Sequence, residues 1–127
     1  MAIKSNDYLS YMRLVLGLYI LRILQQKPAY GNKLAEEIKR RTQAAYNPNT
    51  NALYPLLRIM EDKGYIVGEW ENSVTRSKRF YTITEVGIAR IPALELMLKE
   101  RLEQFEWKIT ILRTDLLGHL DHPEQKV

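Results

Sequence analysis

Residues 49–58, Asn-Thr-Asn-Ala-Leu-Tyr-Pro-Leu-Leu-Arg, gather amides, hydroxyls and a guanidinium into one short stretch. Asn49, Thr50, Asn51, Tyr54 and Arg58 offer donors and acceptors suited to base edges and phosphate oxygens, and none stands beside a base that would make it a nucleophile. Further along, Arg76, Lys78 and Arg79 follow one another without an intervening acid, a spacing suited to gripping a polyanion. Other chemistries find less support. There is no glycine-rich phosphate loop and no nucleophile set next to a plausible base, so an enzyme is not expected. The absence of cysteine removes thiolate metal sites, Fe–S clusters and thiol catalysis. His119, Asp121 and His122 would suit a metal if the i, i+3 histidines shared a helical face. Such a cluster is more often a solvated tail, and neither metal nor cofactor is expected.

These groups need elements to position them. Leu53, Leu56, Leu57 and Met60 recur at i, i+3, i+4 and i+7, which predicts a helix with an apolar stripe turned inward and Asn51, Pro55, Arg58 and Asp62 on the opposite face. Pro55 lacks an N–H and clashes with the carbonyl four residues back, at a cost of about 3 kcal/mol in a helix interior. That cost is smallest near a helix start, so the helix is expected to begin late, with Asn51 as its N-cap. Lys63-Gly64 ends it with a cation and a glycine able to take the left-handed conformation. Upstream, residues 8–26 are apolar on nearly every face between Leu14 and Leu24, the pattern of a helix buried all round, and residues 33–41 form a short helix with Leu34, Ala35 and Ile38 inward. Downstream, residues 65–70 and 78–84 are β-branched and aromatic enough to form a hairpin. A last helix opens at Thr84-Glu85.

Helix, helix, helix, basic hairpin, helix is the order of a winged helix-turn-helix, in which the third helix enters the major groove and the wing reaches the adjacent backbone. The expected fold class is mainly α with a small β-hairpin wing, plus a long C-terminal dimerisation helix. The winged helix-turn-helix takes residues 1–84, the dimerisation helix 85–118, and a flexible tail 119–127. Charge follows the same division. The chain is +4 overall, with ten cations against six acids in residues 27–84 and six against eight in residues 85–127. The longest apolar run, residues 14–20, is too short to span a bilayer, and no signal-peptide pattern precedes it, so the expected location is cytoplasmic, with no membrane partner.

In the last helix Ile88, Glu95, Leu102, Ile109 and Leu116 repeat every seven residues, as do Ile91, Leu98, Phe105 and Leu112. The alternating steps of three and four make the a/d seam of a helix that packs along a partner, interrupted only at Glu95. A homodimer is expected, with Ile91, Leu98, Leu102, Phe105, Ile109, Leu112 and Leu116 at its interface.

Three linked pieces carry a family resemblance: Tyr-Gly-Asn-Lys-Leu-Ala-Glu-Glu-Ile at 30–38, Leu-Tyr-Pro-Leu-Leu-Arg-Ile-Met-Glu-Asp-Lys-Gly-Tyr-Ile at 53–66, and Lys-Arg-Phe-Tyr-Thr-Ile-Thr-Glu-Val-Gly at 78–87. In this order and spacing the chain resembles the PadR family of bacterial transcriptional regulators, of the type with a short C-terminal segment. Asn51-Ala52 departs from the small residue and glycine frequent there, and the usual wing-turn glycine is missing from residues 71–77. The resemblance implies a regulator, a repressor on balance, that binds an inverted-repeat operator in double-stranded DNA as a homodimer. Asn49, Thr50, Asn51, Tyr54 and Arg58 would then contact DNA from the recognition helix, and Arg76, Lys78 and Arg79 from the wing. It also implies that the C-terminal helix grips the first helix of the other subunit, which would explain why residues 14–24 are apolar all round. Relatives that bind flat aromatic compounds between dimer helices make Phe105 and Trp107 candidate contacts for a small aromatic effector. The alternative is a winged-helix protein-interaction module without specific DNA binding, against which the basic wing argues.

Overall fold

The structure, a computed structural model, describes residues 5–72, 74–75 and 78–121. Its elements run α1 (Ser5–Gln26), β1 (Ala29–Tyr30), α2 (Gly31–Arg41), α3 (Thr50–Asp62), β2 (Ile66–Trp70), β3 (Arg79–Ile83) and α4 (Glu85–Asp121). This is the winged helix-turn-helix order, mainly helical with a small sheet and a long final helix. The chain forms two compact units, Met1–Leu94 and Glu95–Val127, so the start of α4 belongs with the winged part. The expected tail at 119–127 begins as helix, since α4 continues to Asp121, and residues 122–127, including His122, lie outside the described residues.

The sheet has one more strand than a hairpin. β1 pairs with β3 through Ala29↔Tyr81 and Tyr30↔Phe80, and β2 pairs with β3 antiparallel from Ile66↔Ile83 to Trp70↔Arg79, which makes β3 central. Successive residues alternate faces, as the pleat requires. Ile66 and Tyr81 point into the core, while Val67 and Phe80 are exposed.

The core of the winged unit is aliphatic. Leu16, Ile20, Leu21 and Leu24 of α1 meet Leu34 and Ile38 of α2, Leu53, Leu57 and Met60 of α3, and Ile66, Tyr81 and Ile91. Each such buried side chain contributes about 1.5–3 kcal/mol relative to exposure. Leu14, Val15, Leu16, Ile20, Leu21, Ile23 and Leu24 are all buried within the single chain, so the apolar character of α1 needs no second subunit to explain it. Ile91, expected at a dimer seam, is also part of this core.

The turn between α2 and α3 is held by side chains. The Thr42 hydroxyl donates to the Ile38 carbonyl at 2.8 Å and accepts from the Tyr46 N–H at 3.1 Å. The Tyr46 and Tyr11 hydroxyls lie 2.6 Å apart, which ties the turn to α1. Between these anchors Gln43 and Ala44 adopt φ of 52° and 64°. That is left-handed backbone, at about 1–2 kcal/mol for a residue with a Cβ. Glycine avoids the clash but gives back roughly 0.5–1 kcal/mol through its freer unfolded chain. Ala44 is exposed, so nothing else is lost on its removal. Ala44→Gly is therefore expected to raise unfolding stability by about 0.5–1 kcal/mol, read as a higher urea midpoint at unchanged m-value.

Candidate nucleic-acid interface

α3 begins two residues earlier than the proline suggested. Its N-cap is Asn49, whose side-chain oxygen accepts from the Ala52 N–H at 2.7 Å, and not Asn51, which lies in the first turn. Such a cap contributes about 1 kcal/mol relative to alanine. Pro55 then stands inside the helix, where its missing N–H leaves the Asn51 carbonyl without its usual donor. The helix tolerates this because its other face is anchored: Leu53 and Leu57 are fully buried, and Leu56 and Met60 nearly so.

That anchoring turns a polar face outward. Asn49, Asn51 and Arg58 are exposed and Thr50 is half-buried. Tyr54 is 40% exposed, and its ring edge leans over the first residue of α2, with Cε1 3.6 Å from where a Cβ would stand on Gly31. Asn51, Tyr54 and Arg58 follow at three- and four-residue steps and so share one strip of the helix.

At the wing, the turn that lacks glycine is closed by Asn72. Its side-chain oxygen accepts from the Val74 and Thr75 N–H groups at 2.9 and 3.2 Å, the Asx geometry that substitutes for a glycine turn. Arg76 lies outside the described residues. Lys78 is exposed, its ammonium 5.5 Å from the centre of the Tyr30 ring. Tyr30 in turn meets Phe80 edge-on at 4.9 Å and donates its hydroxyl to Glu71 at 3.0 Å, a bond that raises the Tyr30 pKa. Arg79 is placed differently from Lys78. Its Nε and Nη2 donate to the two carboxylate oxygens of Glu61 at 3.0 and 2.9 Å, and the guanidinium stacks 5.0 Å from the Trp70 ring. Neither Glu61 nor β1 was legible as part of this surface, because an acid on a helix flank and a two-residue strand carry no periodic signal.

Two of the three cations that end α2 are paired internally. Arg40 and Arg41 both donate to Glu37, and the Arg40 bond above all holds the Glu37 carboxyl at about 2.

On α4, Leu98 is half-buried, while Leu102, Phe105, Ile109, Leu112 and Leu116 range from 36% to 59% exposed. Trp107 is 66% exposed. Residues two apart on a helix do not share a face, so Phe105 and Trp107 point to nearly opposite sides. One flat ligand cannot meet both from a single helix.

A polar-faced third helix beside a hairpin wing with an exposed lysine defines a winged helix-turn-helix DNA-binding protein. Residues 20–93 match the transcriptional regulator PadR-like family, and the chain belongs to that family, whose members are regulators and not enzymes. Solved structures share the fold. A PadR-like transcription factor from Bacteroides fragilis is 25% identical over 80% of this chain and 97% of its own, with a TM-score of 0.62. A PadR-like transcriptional regulator from Bacillus cereus is 23% identical over 75% and 91%, with a TM-score of 0.57. A transcriptional regulator from Clostridium thermocellum is 22% identical over 91% and 99%, with a TM-score of 0.54. No curated protein is a significant match. Among the described residues, no helix is long and apolar enough to cross a membrane.

Tyr81, at the floor between α3 and the wing, is pushed up to about 12, first by burial and then by the Glu61 charge. A phenol whose folded pKa exceeds its ordinary value of 10 contributes stability that is complete below that value and is lost as pH rises through 10 toward 12. Tyr46, raised to about 12 chiefly by its bond with Tyr11, acts in the same direction. Urea midpoints are therefore expected to fall between about pH 9 and about pH 11.5, and to fall less steeply in Tyr81→Phe.

Proposed function

We propose that the protein is a homodimeric repressor that occupies an inverted-repeat operator, with α3 in the major groove and the wing on the neighbouring backbone. The observation that carries this reading is the outward strip of α3, Asn51, Tyr54 and Arg58, beside the exposed Lys78, in a chain of the PadR-like family. In this proposal Asn51 and Arg58 read base edges, Asn49 and Thr50 meet base or backbone at the helix start, and Tyr54 donates its hydroxyl to a phosphate. Lys78, with Arg76, grips phosphate at the wing. The cytoplasm is the compartment such a role requires.

The dimer is supported by the apolar stripe of α4, half-buried at Leu98 and exposed at the later positions. Leu98, Leu102, Phe105, Ile109, Leu112 and Leu116 keep the three-four spacing of a coiled-coil seam, and water is a poor partner for them. A small aromatic effector meeting Phe105 or Trp107 belongs to the same proposal, each ring serving a different side of α4.

Two tests follow from this reading. The first takes duplexes selected by the wild-type protein from a randomised pool and compares them with a scrambled duplex across salt concentrations. Lys78→Ala is expected to weaken both about equally and to make the log–log salt slope shallower by roughly 0.9 for the lost phosphate contact. Asn51→Ala or Arg58→Ala is expected to narrow the gap between the two duplexes by about 1–3 kcal/mol. Variants that bind both duplexes like wild type at every salt concentration would leave the protein-interaction module as the better reading. In the second test, Leu102→Glu with Ile109→Glu is expected to give monomers by light scattering. The same variant should lose affinity for a two-half-site duplex, because the second half-site no longer benefits from a tethered binding domain. A persistent dimer would move the interface elsewhere.

A further inference from the structure

The bidentate pair between Glu61 and Arg79 joins two elements that the DNA-binding reading needs in fixed register. Glu61 lies in the last turn of α3 and Arg79 is the first residue of β3, where the descending arm of the wing enters the sheet. Both side chains are about three-quarters buried, at 22% and 25% exposure, and both of the pair's hydrogen bonds are near ideal length. The Trp70 ring covers the guanidinium from the paired end of β2.

Gly68 gives the pair its passage. A Cβ at that position would fall on the Glu61 Oε1, 2.5 Å from Arg79 Nε and 3.0 Å from the Tyr81 ring. Any larger residue must push the ion pair aside. Two charges, a covering indole and the absence of one methyl group therefore converge on a single contact between recognition helix and wing.

We propose that Glu61, Arg79 and Gly68 form a positioning latch that sets the angle of the wing to α3, so that Arg79 acts through Glu61 and not as a phosphate ligand. The inference rests on the DNA-binding reading and assigns these residues a role within it. With the latch closed, the spacing between the α3 strip and Lys78 is fixed before DNA arrives, and binding need not order it. A guanidinium already holding a carboxylate in bidentate geometry has its strongest donors occupied. Lys78, one residue earlier and exposed, holds no carboxylate among the described residues and rests only against the Tyr30 ring face, so it is left to meet the backbone.

The test uses the full chain, a duplex selected by the wild type from a randomised pool, and a scrambled duplex. Glu61→Gln is expected to weaken binding to the selected duplex by about threefold to tenfold through lost preorganisation. Its salt slope should be unchanged. Gly68→Ala, which removes no charge, should reproduce the Glu61→Gln effect. Arg79→Ala should do the same with an unchanged salt slope, unlike Lys78→Ala. The reversed pair, Glu61→Arg with Arg79→Glu, should recover most of the lost affinity, which a merely lost charge would not allow. Circular dichroism identifies any variant that fails to fold, and if Gly68→Ala does so, Glu61→Gln and the reversed pair decide. The latch is overturned if Arg79→Ala flattens the salt slope as Lys78→Ala does, or if Glu61→Gln tightens binding by releasing Arg79 to phosphate. Failure of the DNA-binding reading itself would show earlier and separately, as a pool the wild type leaves random.

Discussion

The inner stripe of α3, Leu53, Leu56, Leu57 and Met60, is the constraint on which the working surface depends. Because these side chains are buried against α1 and α2 residues such as Ile20, Leu21, Leu34 and Ile38, the rotation of α3 about its own axis is fixed. Turning the helix by a single residue would move its apolar row by about 100° and bring polar groups into the core. The outward position of Asn51, Tyr54 and Arg58 is thus a consequence of packing. The same anchoring explains how Pro55 survives within the helix. The helix loses one internal hydrogen bond, whereas its buried face carries several side chains at about 1.5–3 kcal/mol each.

A second junction keeps the wing and the first turn of α4 in place around that helix. The Thr84 hydroxyl donates to the Gly64 carbonyl just beyond α3 and accepts from the Gly87 N–H, while the Thr84 N–H reaches the Tyr65 carbonyl. Gly64, at φ 78°, is the left-handed residue that lets the chain leave α3 in this direction. One threonine therefore caps α4 and fastens it to the exit of α3. The bidentate pair between Glu61 and Arg79 ties the start of β3 to α3, while Thr84, just past the strand's end, bonds the Tyr65 carbonyl beyond α3.

What could be read from the sequence, and what could not, divides along a physical line. The 3.6-residue period of Leu53, Leu56, Leu57 and Met60 reports burial directly, and the β-branched and aromatic content of residues 65–70 and 78–84 marks the hairpin, so α3's buried stripe and the β2–β3 pair emerged where those signals put them. The start of α3 did not, because Pro55 constrains only which carbonyl goes unpaired, whereas the cap depends on a side-chain bond from Asn49 that spacing cannot reveal. The all-round apolar pattern of α1 fits a wrapped domain and a second subunit equally well, because such a helix looks alike whether one subunit or two cover it, and only the packing shows burial within one chain. Ile91 fits the heptad and the core equally well by sequence, and only the packing distinguishes them. The partnership of Arg79 with Glu61 joins residues far apart in the chain, and a run of cations gives no hint of which one is already occupied.

The sheet has one further consequence. A three-stranded sheet has two edges, and an open edge of any length is a template on which another chain can add a strand. Here one edge is β1, only two residues long and preceded by Pro28, which has no N–H to offer. The other is β2, which has Gly68 at its centre and carries Glu69 near its end and Glu71 just beyond it, charges that oppose the approach of a second strand. Neither edge offers a long, flat, apolar row. The sheet is thus protected from runaway strand pairing along either edge.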